Sequence, residues 1–316
     1  MKKRFFAGIL LVACLAALFG CGEKNRRAVG TCAGYDVLYE ELRYMTLSVR
    51  DEMAETYGAK IRSNADAAEA HRAELESEVL SRLAREYTVL AAAAIYLPHR
   101  SIDDETTEAA VDAAVNEAIE ALGGKKEYKK YLSEVYMTEH LMRFELAKAE
   151  LENALKGALF TGTELENNTT FSAWLTDGNF VRVRQITLPA GADVSAIRSA
   201  LENGTSPEDA PEGITGASVT AAFYLVRGLA EDPTLEEDAF ALETVGAVGQ
   251  ARETEDGYRI LVRMDDQTES FLANQASFYR IRLRNVRTDA LLADIETTLR
   301  MELNDYGRSL DLLKIK

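Results

Sequence analysis

The sequence predicts an α+β chain in which a helical domain built from both ends encloses a small inserted α/β domain. Three observations predict it. Apolar residues recur every three or four positions over residues 36–160 and again over 269–303. Between these stretches the spacing falls to two, over residues 181–188 and 258–264. Breaking residues, namely Pro98, Gly123-Gly124, Pro189 and Asn203-Gly204, sit between the periodic segments rather than inside them.

The elements follow in order. Residues 29–34 read as a short strand and turn. Leu38, Leu42, Met45 and Val49 mark a first helix, and Leu75, Val79, Leu80, Leu83, Tyr87, Leu90 and Ala94 a second, longer one that Pro98 ends. Ser101 reads as an N-cap before an acidic first turn, with Val111, Val115 and Ile119 on the buried stripe until Gly123-Gly124. Helices at about 126–136 and 138–159 come next, the second with Leu141, Phe144, Leu151 and Leu155 on one side. Residues 161–178 carry the polar run 164–170 and read as a connection. Strands 181–188 and 258–264, with a short helix at 194–201, make up the α/β part. The tail is helical from 269, with a last apolar segment at 310–315.

The 316 residues hold 36 Lys and Arg against 52 Asp and Glu. Without Lys2, Lys3 and Arg4 the balance is 33 against 52, a formal charge of −19. Nucleic acid is therefore excluded as a principal partner, because phosphate binding needs a basic face. Arg280, Arg284 and Arg287 share one helical face, where pairing with the acidic front domain is expected. At 47% hydrophobic the chain has material for two modest cores.

Residues 1–4 are cationic, residues 5–19 almost purely apolar, and Gly20-Cys21 follows. Such a run falls short of the about 20 apolar residues of a spanning helix, and a small residue before cysteine marks processing. Leu18-Phe19-Gly20-Cys21 resembles a bacterial lipobox. That implies a signal peptide over 1–20, a lipidated Cys21, and a lipid anchor at the outer face of the cell membrane. Cys14 leaves with the signal, so Cys32 alone remains a thiol and is read as a packed structural one. His71, His99 and His140 lack ligand spacing, and no phosphate loop, dinucleotide fingerprint or nucleophile elbow occurs. No metal and no cofactor is expected.

Certain strings resemble a family. Val181-Arg182-Val183-Arg184-Gln185-Ile186-Thr187-Leu188 is similar to the first strand of a parvulin peptidyl-prolyl isomerase domain. Leu235-Glu236-Glu237-Asp238-Ala239-Phe240-Ala241-Leu242, then Val245-Gly246-Ala247-Val248-Gly249-Gln250 and Gly257-Tyr258-Arg259-Ile260-Leu261, resemble its helix, following turn and last strand. Residues 29–42, Gly123-Gly124 before Tyr128 and Leu132, Met137-Thr138 and Arg143 resemble the chaperone region of extracytoplasmic foldases of the PrsA and SurA kind. The resemblance implies a helical chaperone region at 21–160, a linker at 161–178 and a parvulin-like domain with a four-stranded antiparallel sheet at 179–266. It also implies a helical segment at 267–316 that packs with the N-terminal region.

It further implies which chemistry to look for. Turning an X–Pro bond crosses a barrier of about 20 kcal/mol because the amide loses resonance. A parvulin lowers that barrier non-covalently, with an apolar proline pocket over two histidines on adjacent strands. Here Gln185 and Arg259 stand at the histidine positions, Leu235 at a pocket Phe, and Leu229, Ala230 and Glu231 where a pocket Met belongs. Gln and Arg can lie side by side and hydrogen-bond, but a long, permanent cation fills the space where proline docks. Weak or absent isomerase activity is expected, leaving the binding of unfolded or exported polypeptides as the function. Tyr39, Leu42, Met45, Met137, Leu141 and Phe144 are candidate client-facing residues, since Met and aromatics adapt to varied partners, unless they form the domain's own core. An active isomerase with an altered pocket and a scaffold lipoprotein with one dedicated partner are the alternatives. A homodimer through the helical front is the self-association considered.

Overall fold

The computed structural model describes residues 24–62 and 64–316. The signal at 1–20 and the lipidation site Cys21 lie outside the described residues. The chain divides into two compact units, one of described residues up to 159 together with 290–316, the other of 160–289.

The first unit opens with a hairpin of β1 (Ala28–Cys32) and β2 (Tyr35–Leu38), turned by Ala33 and Gly34 at positive φ. Helices α1 (Tyr39–Tyr57), α2 (Ala65–Glu69), α3 (Arg72–Glu86), α4 (Thr88–Tyr96), α5 (Glu105–Ala121), α6 (Lys125–Glu134) and α7 (Glu139–Ala158) follow. The single long helix expected through Leu75 and Ala94 is in fact two. Tyr87 leaves helical geometry (φ −93°, ψ 0°) and its N–H turns back to Ala84 O at 3.1 Å. Asp104 rather than Ser101 caps α5, because its carboxylate reaches two backbone N–H groups, of Thr107 (3.0 Å) and Ser101 (2.8 Å).

The second unit contains α8 (Asn168–Trp174), β3 (Phe180–Pro189), α9 (Val194–Glu202), β4 (Ser218–Val219), β5 (Phe223–Val226), α10 (Pro233–Phe240), β6 (Arg252–Thr254), β7 (Gly257–Arg263) and α11 (Thr268–Asn274). All pairings in its sheet are antiparallel, in the order β4-β3-β7-β6, with β5 also on β3. Val183 pairs with Phe223 of β5 and Arg263 of β7 at once, so β5 and β4 share the other edge of β3 end to end. Four lanes are thus made from five strands. The alternation on β3 and β7 sends Val181, Val183 and Leu261 to one face with Ala239 and Leu242 of the α10 segment. It sends Ile186, Leu188, Ile260 and Val262 to the other with Ile197 and Leu201 of α9. Each such Val, Leu or Ile side chain contributes roughly 1.5–3 kcal/mol on burial.

Two boundaries differ from expectation. Residues 161–178 are not a free linker, because α8 lies within them and Phe171 and Leu175, four apart, are fully buried. Residues 267–289 belong with the sheet rather than with the front: Phe271 stacks on Phe180 at 4.5 Å and meets Tyr224 at 4.4 Å. The long tail helix α12 (Ala276–Thr298) begins only after Gln275. Arg280 donates to Asn168 Oδ1 at 2.8 Å and Arg287 pairs with Glu164 at 2.6 Å. These partners lie in the same unit, which corrects the expected pairing with the acidic front.

The chain's end completes the first unit. β8 (Glu302–Leu303) adds to β1, giving the order β2-β1-β8, and α13 (Asp305–Ser309) follows. Gly30 and Gly307 allow this approach, since a Cβ on either would collide with a backbone carbonyl, of Glu302 and Val29 respectively. Arg50, buried on α1, donates to Leu313 O at 3.0 Å and Ile315 O at 2.9 Å. Leu312, Leu313 and Ile315 share a core with Leu42, Leu75 and Leu83. Among the described residues no helix is long and apolar enough to cross a membrane.

Candidate functional site

Gln185 and Arg259 lie on adjacent strands. The register sets Thr187 opposite Arg259 and Gln185 opposite Leu261, so the two are diagonal neighbours on one face. They do not form the expected hydrogen bond. Gln185 Nε2 donates to Thr187 Oγ1 at 3.2 Å, and Arg259 turns to the N-terminus of α10. There its guanidinium donates to Asp232 Oδ2 at 2.5 Å, Thr234 Oγ1 at 3.0 Å and Asp238 Oδ2 at 3.4 Å. Asp232 is already the cap of α10, accepting Thr234 N–H at 2.8 Å, and Pro233 supplies the fixed φ of the first helical position. Asp238 is held from its far side by both arms of Arg252, at 2.6 and 2.5 Å. The Arg259 side chain is 9% exposed, and its Nε is buried without a partner.

The electrostatics follow from that geometry. Hydrogen bonds from Arg259 and Thr234 hold the Asp232 carboxyl well below the usual carboxylate range, and the Arg252 fork does the same for Asp238. Both therefore stay ionised, and the cation between them is locked. Leu235 is half-buried against the core of Val183, Leu225 and Leu261. The face of the sheet that carries Gln185 and Arg259 thus holds an ion network closed by Asp232, Thr234 and Asp238.

The first unit carries a different site. A cavity of about 360 Å³ lies among β2, α1, the α4–α5 connection and α7. Leu38, Ile102, Val111, Leu141, Phe144 and Ala147 give it apolar walls, and Glu40 and Glu41 on the first turn of α1 line it as well. Both carboxylates are buried, at 2% and 7% exposure. Glu40 accepts from Thr138 Oγ1 and lies 2.5 Å from His140 Nδ1, at the N-terminus of α7, where the helix dipole favours an anion. Glu41 accepts the Leu38 N–H at 2.7 Å and meets the Tyr87 hydroxyl at 2.6 Å. That hydroxyl also lies 3.1 Å from Asp36 O. Burial pushes the Glu41 carboxyl up to about 7, against the bonds from Tyr87 and Leu38 that lower it. Tyr87 has one proton for two acceptors, so protonating Glu41 lets the carboxyl donate to Tyr87 and frees that hydroxyl for Asp36 O.

The six apolar candidates separate. Leu141 and Phe144 line the cavity. Met137 is half-buried, packs beside Tyr128 and Leu132, and lines a smaller recess with Arg43 and Tyr136. Tyr39, Leu42 and Met45 do not face solvent: at 6% exposure or less they are core, because the α1 stripe must cover the α3 helix and the returning tail. Cys32 packs against Ala84 O, and burial raises its thiol pKa. Sequence reading missed Asp232, Asp238 and Arg252 beside Arg259, and Glu40, Glu41, Tyr87 and His140 around the cavity. The one available signal was Asp232-Pro233, a cap followed by a first-position proline.

No protein-family model matches the chain, and no curated protein matches it. Among solved structures, the chain is similar to the peptidylprolyl isomerase PrsA from Bacillus anthracis, at 16% identity and a TM-score of 0.39, over 69% of this chain and 95% of that one. It is likewise similar to PrsA from Bacillus cereus, at 16% and 0.39, over 92% and 96%. A SurA-like chaperone structure from Campylobacter jejuni is similar at 12% and 0.27, over 88% and 100%.

Proposed function

We propose that this chain is an extracytoplasmic chaperone, anchored by lipid at Cys21, that holds unfolded exported polypeptides in its helical unit. Its sheet unit is a parvulin-like domain with weak or absent isomerase activity. The observation that carries the reading is the helical unit's cavity, which keeps apolar walls open beside charged groups. A surface of this kind binds extended chains by many weak contacts. The second half is supported by Arg259, a residue at a position the parvulin resemblance gives to an imidazole, being pinned between Asp232 and Asp238.

Two measurements test it. The mature protein is expected to suppress the aggregation of several unrelated reduced substrates at near-stoichiometric ratios. A protease-coupled assay on a proline tetrapeptide is expected to show turnover far below that of an active parvulin. Suppression limited to one substrate would favour a dedicated scaffold, and turnover within about tenfold of an active enzyme, a difference of about 1.4 kcal/mol in barrier, would overturn the claim of a degenerate domain.

A further inference from the structure

The helical unit's cavity is lined by two chemically distinct kinds of side chain. Ile102, Val111, Leu141, Phe144 and Ala147 present aliphatic and aromatic surface. Among them the lining carries the carboxylates of Asp36, Glu40, Glu41, Asp103 and Glu108. The only permanently cationic side chain in the lining is Arg143, and Arg143 is tied to Asp112 at 2.6 Å. Glu40 and Glu41 are satisfied internally by Thr138, His140, Leu38 and Tyr87. Asp36, Asp103 and Glu108 differ. They are exposed, and none forms an ion pair among the described residues.

We propose that this cavity binds an extended polypeptide segment in which an apolar side chain is flanked by a lysine or arginine, the apolar group lying against Ile102, Leu141 and Phe144 and the cation meeting Asp36, Asp103 and Glu108. The volume suits this occupant: about 360 Å³ is at the lower end of the range for small-ligand pockets, roughly 300–1,000 Å³, and takes side chains rather than a folded domain. Charge complementarity selects the flanking residue. An acidic segment would meet several uncompensated carboxylates, whereas a lysine lays its methylenes along the apolar wall and keeps its ammonium at the wet rim. The proposal rests on the chaperone reading above and names the class of segment that reading leaves open.

The test uses the mature full chain and two short fluorescent peptides of identical length and apolar content, one with lysines flanking a phenylalanine and one with glutamates. The lysine peptide is expected to bind about tenfold more tightly at low salt, with a preference that shrinks as salt rises. The triple variant Asp36→Asn, Glu108→Gln, Asp103→Asn alters only exposed groups. It should keep its circular dichroism spectrum and melting profile while losing most of that preference. A photoreactive phenylalanine analogue in the lysine peptide should cross-link to α7 between His140 and Ala147. Equal binding of both peptides, a preference unaffected by the triple variant, or cross-links elsewhere would overturn the proposal while leaving polypeptide binding itself intact. Failure to bind either peptide, together with no suppression of aggregation, would remove the chaperone reading too.

Discussion

The two units bury charge beside an apolar core in opposite ways. In the sheet unit a guanidinium on β7 is matched by fixed carboxylates on and before α10, and the space closes. In the helical unit two carboxylates on α1 are matched by hydroxyls, a backbone N–H and an imidazole, and a cavity remains. Fixed opposite charges at hydrogen-bonding distance neutralise each other and fill their own volume. Neutral donors satisfy the carboxylates without bringing in a cation that fills the space beside them. The acidic site that stays open is therefore the one whose internal partners are mostly neutral.

The largest expected effect comes from opening the closed site. Arg259→Ala removes the cation that Asp232 and Asp238 share, leaving Asp238 its Arg252 fork and Asp232 its Thr234 bonds, and leaves a void. Breaking a buried pair costs about 3–5 kcal/mol, and because the Asp232 side chain is 44% exposed the expectation here falls to about 2–3 kcal/mol. Chemical denaturation of the mature protein would measure it, and an unchanged midpoint would mean that Arg259 is not a structural plug. For the same reason, Arg259→His with Gln185→His is expected to lower stability without bringing turnover to that of an active parvulin.

Comparable in size is a pH effect of opposite sign in the two units. Glu41 in the folded protein titrates at about 7, above its ordinary 4.5, so folding retains a proton that the unfolded chain releases between those values. Its contribution therefore worsens as pH rises from about 4.5 to 7, by on the order of 3 kcal/mol. Glu41→Gln should remove that loss, leaving a variant more stable relative to wild type at pH 8 than at pH 5. Asp232 and Asp238 act the other way. Their depressed folded values stabilise above the ordinary 3.8, and that stability is lost as pH falls through the folded values. Melting curves at several pH values resolve the two. A Glu41→Gln profile parallel to wild type between pH 5 and 8 would show that the helical unit's carboxylate is not held up by burial.

Tyr87→Phe should cost about 1–2 kcal/mol, since it deletes a hydroxyl shared by Glu41 and Asp36 O, and should raise the Glu41 titration further. The smallest expected effect is at Arg252→Ala. This exposed fork on Asp238 is screened by solvent, and Arg259 remains at Asp238 without it, so the melting profile should move little. A larger loss at Arg252 than at Arg259 would invert the picture of which cation closes the site.

Much of this fold was legible in the sequence. Alternation on 181–188 and 258–264 predicted β3 and β7, while the placing of Gln185 and Arg259 on neighbouring strands was what the parvulin resemblance implied and the register bears out. The breaks at Gly123-Gly124 and Pro98 predicted helix ends. Tyr87 was not legible as a break, because its ring and hydroxyl are committed to Glu41 and Phe144 of other helices rather than to its own neighbours. Phe271 was read as part of the tail because its pairing with Phe180 is invisible to local periodicity.

By itself, then, the sequence determined the order, type and apolar face of the elements, because periodicity is a property of nearby residues. That a glutamine and an arginine stand where an imidazole pair would be sought is what the parvulin resemblance implies. Only the tertiary structure decided what each charge meets. Arg259 finds Asp232 across 27 residues, Tyr87 finds Glu41 across 46, and His140 finds Glu40 across 100. Those separations are bridged by packing, and packing chose which charged cluster closes on itself and which stays open.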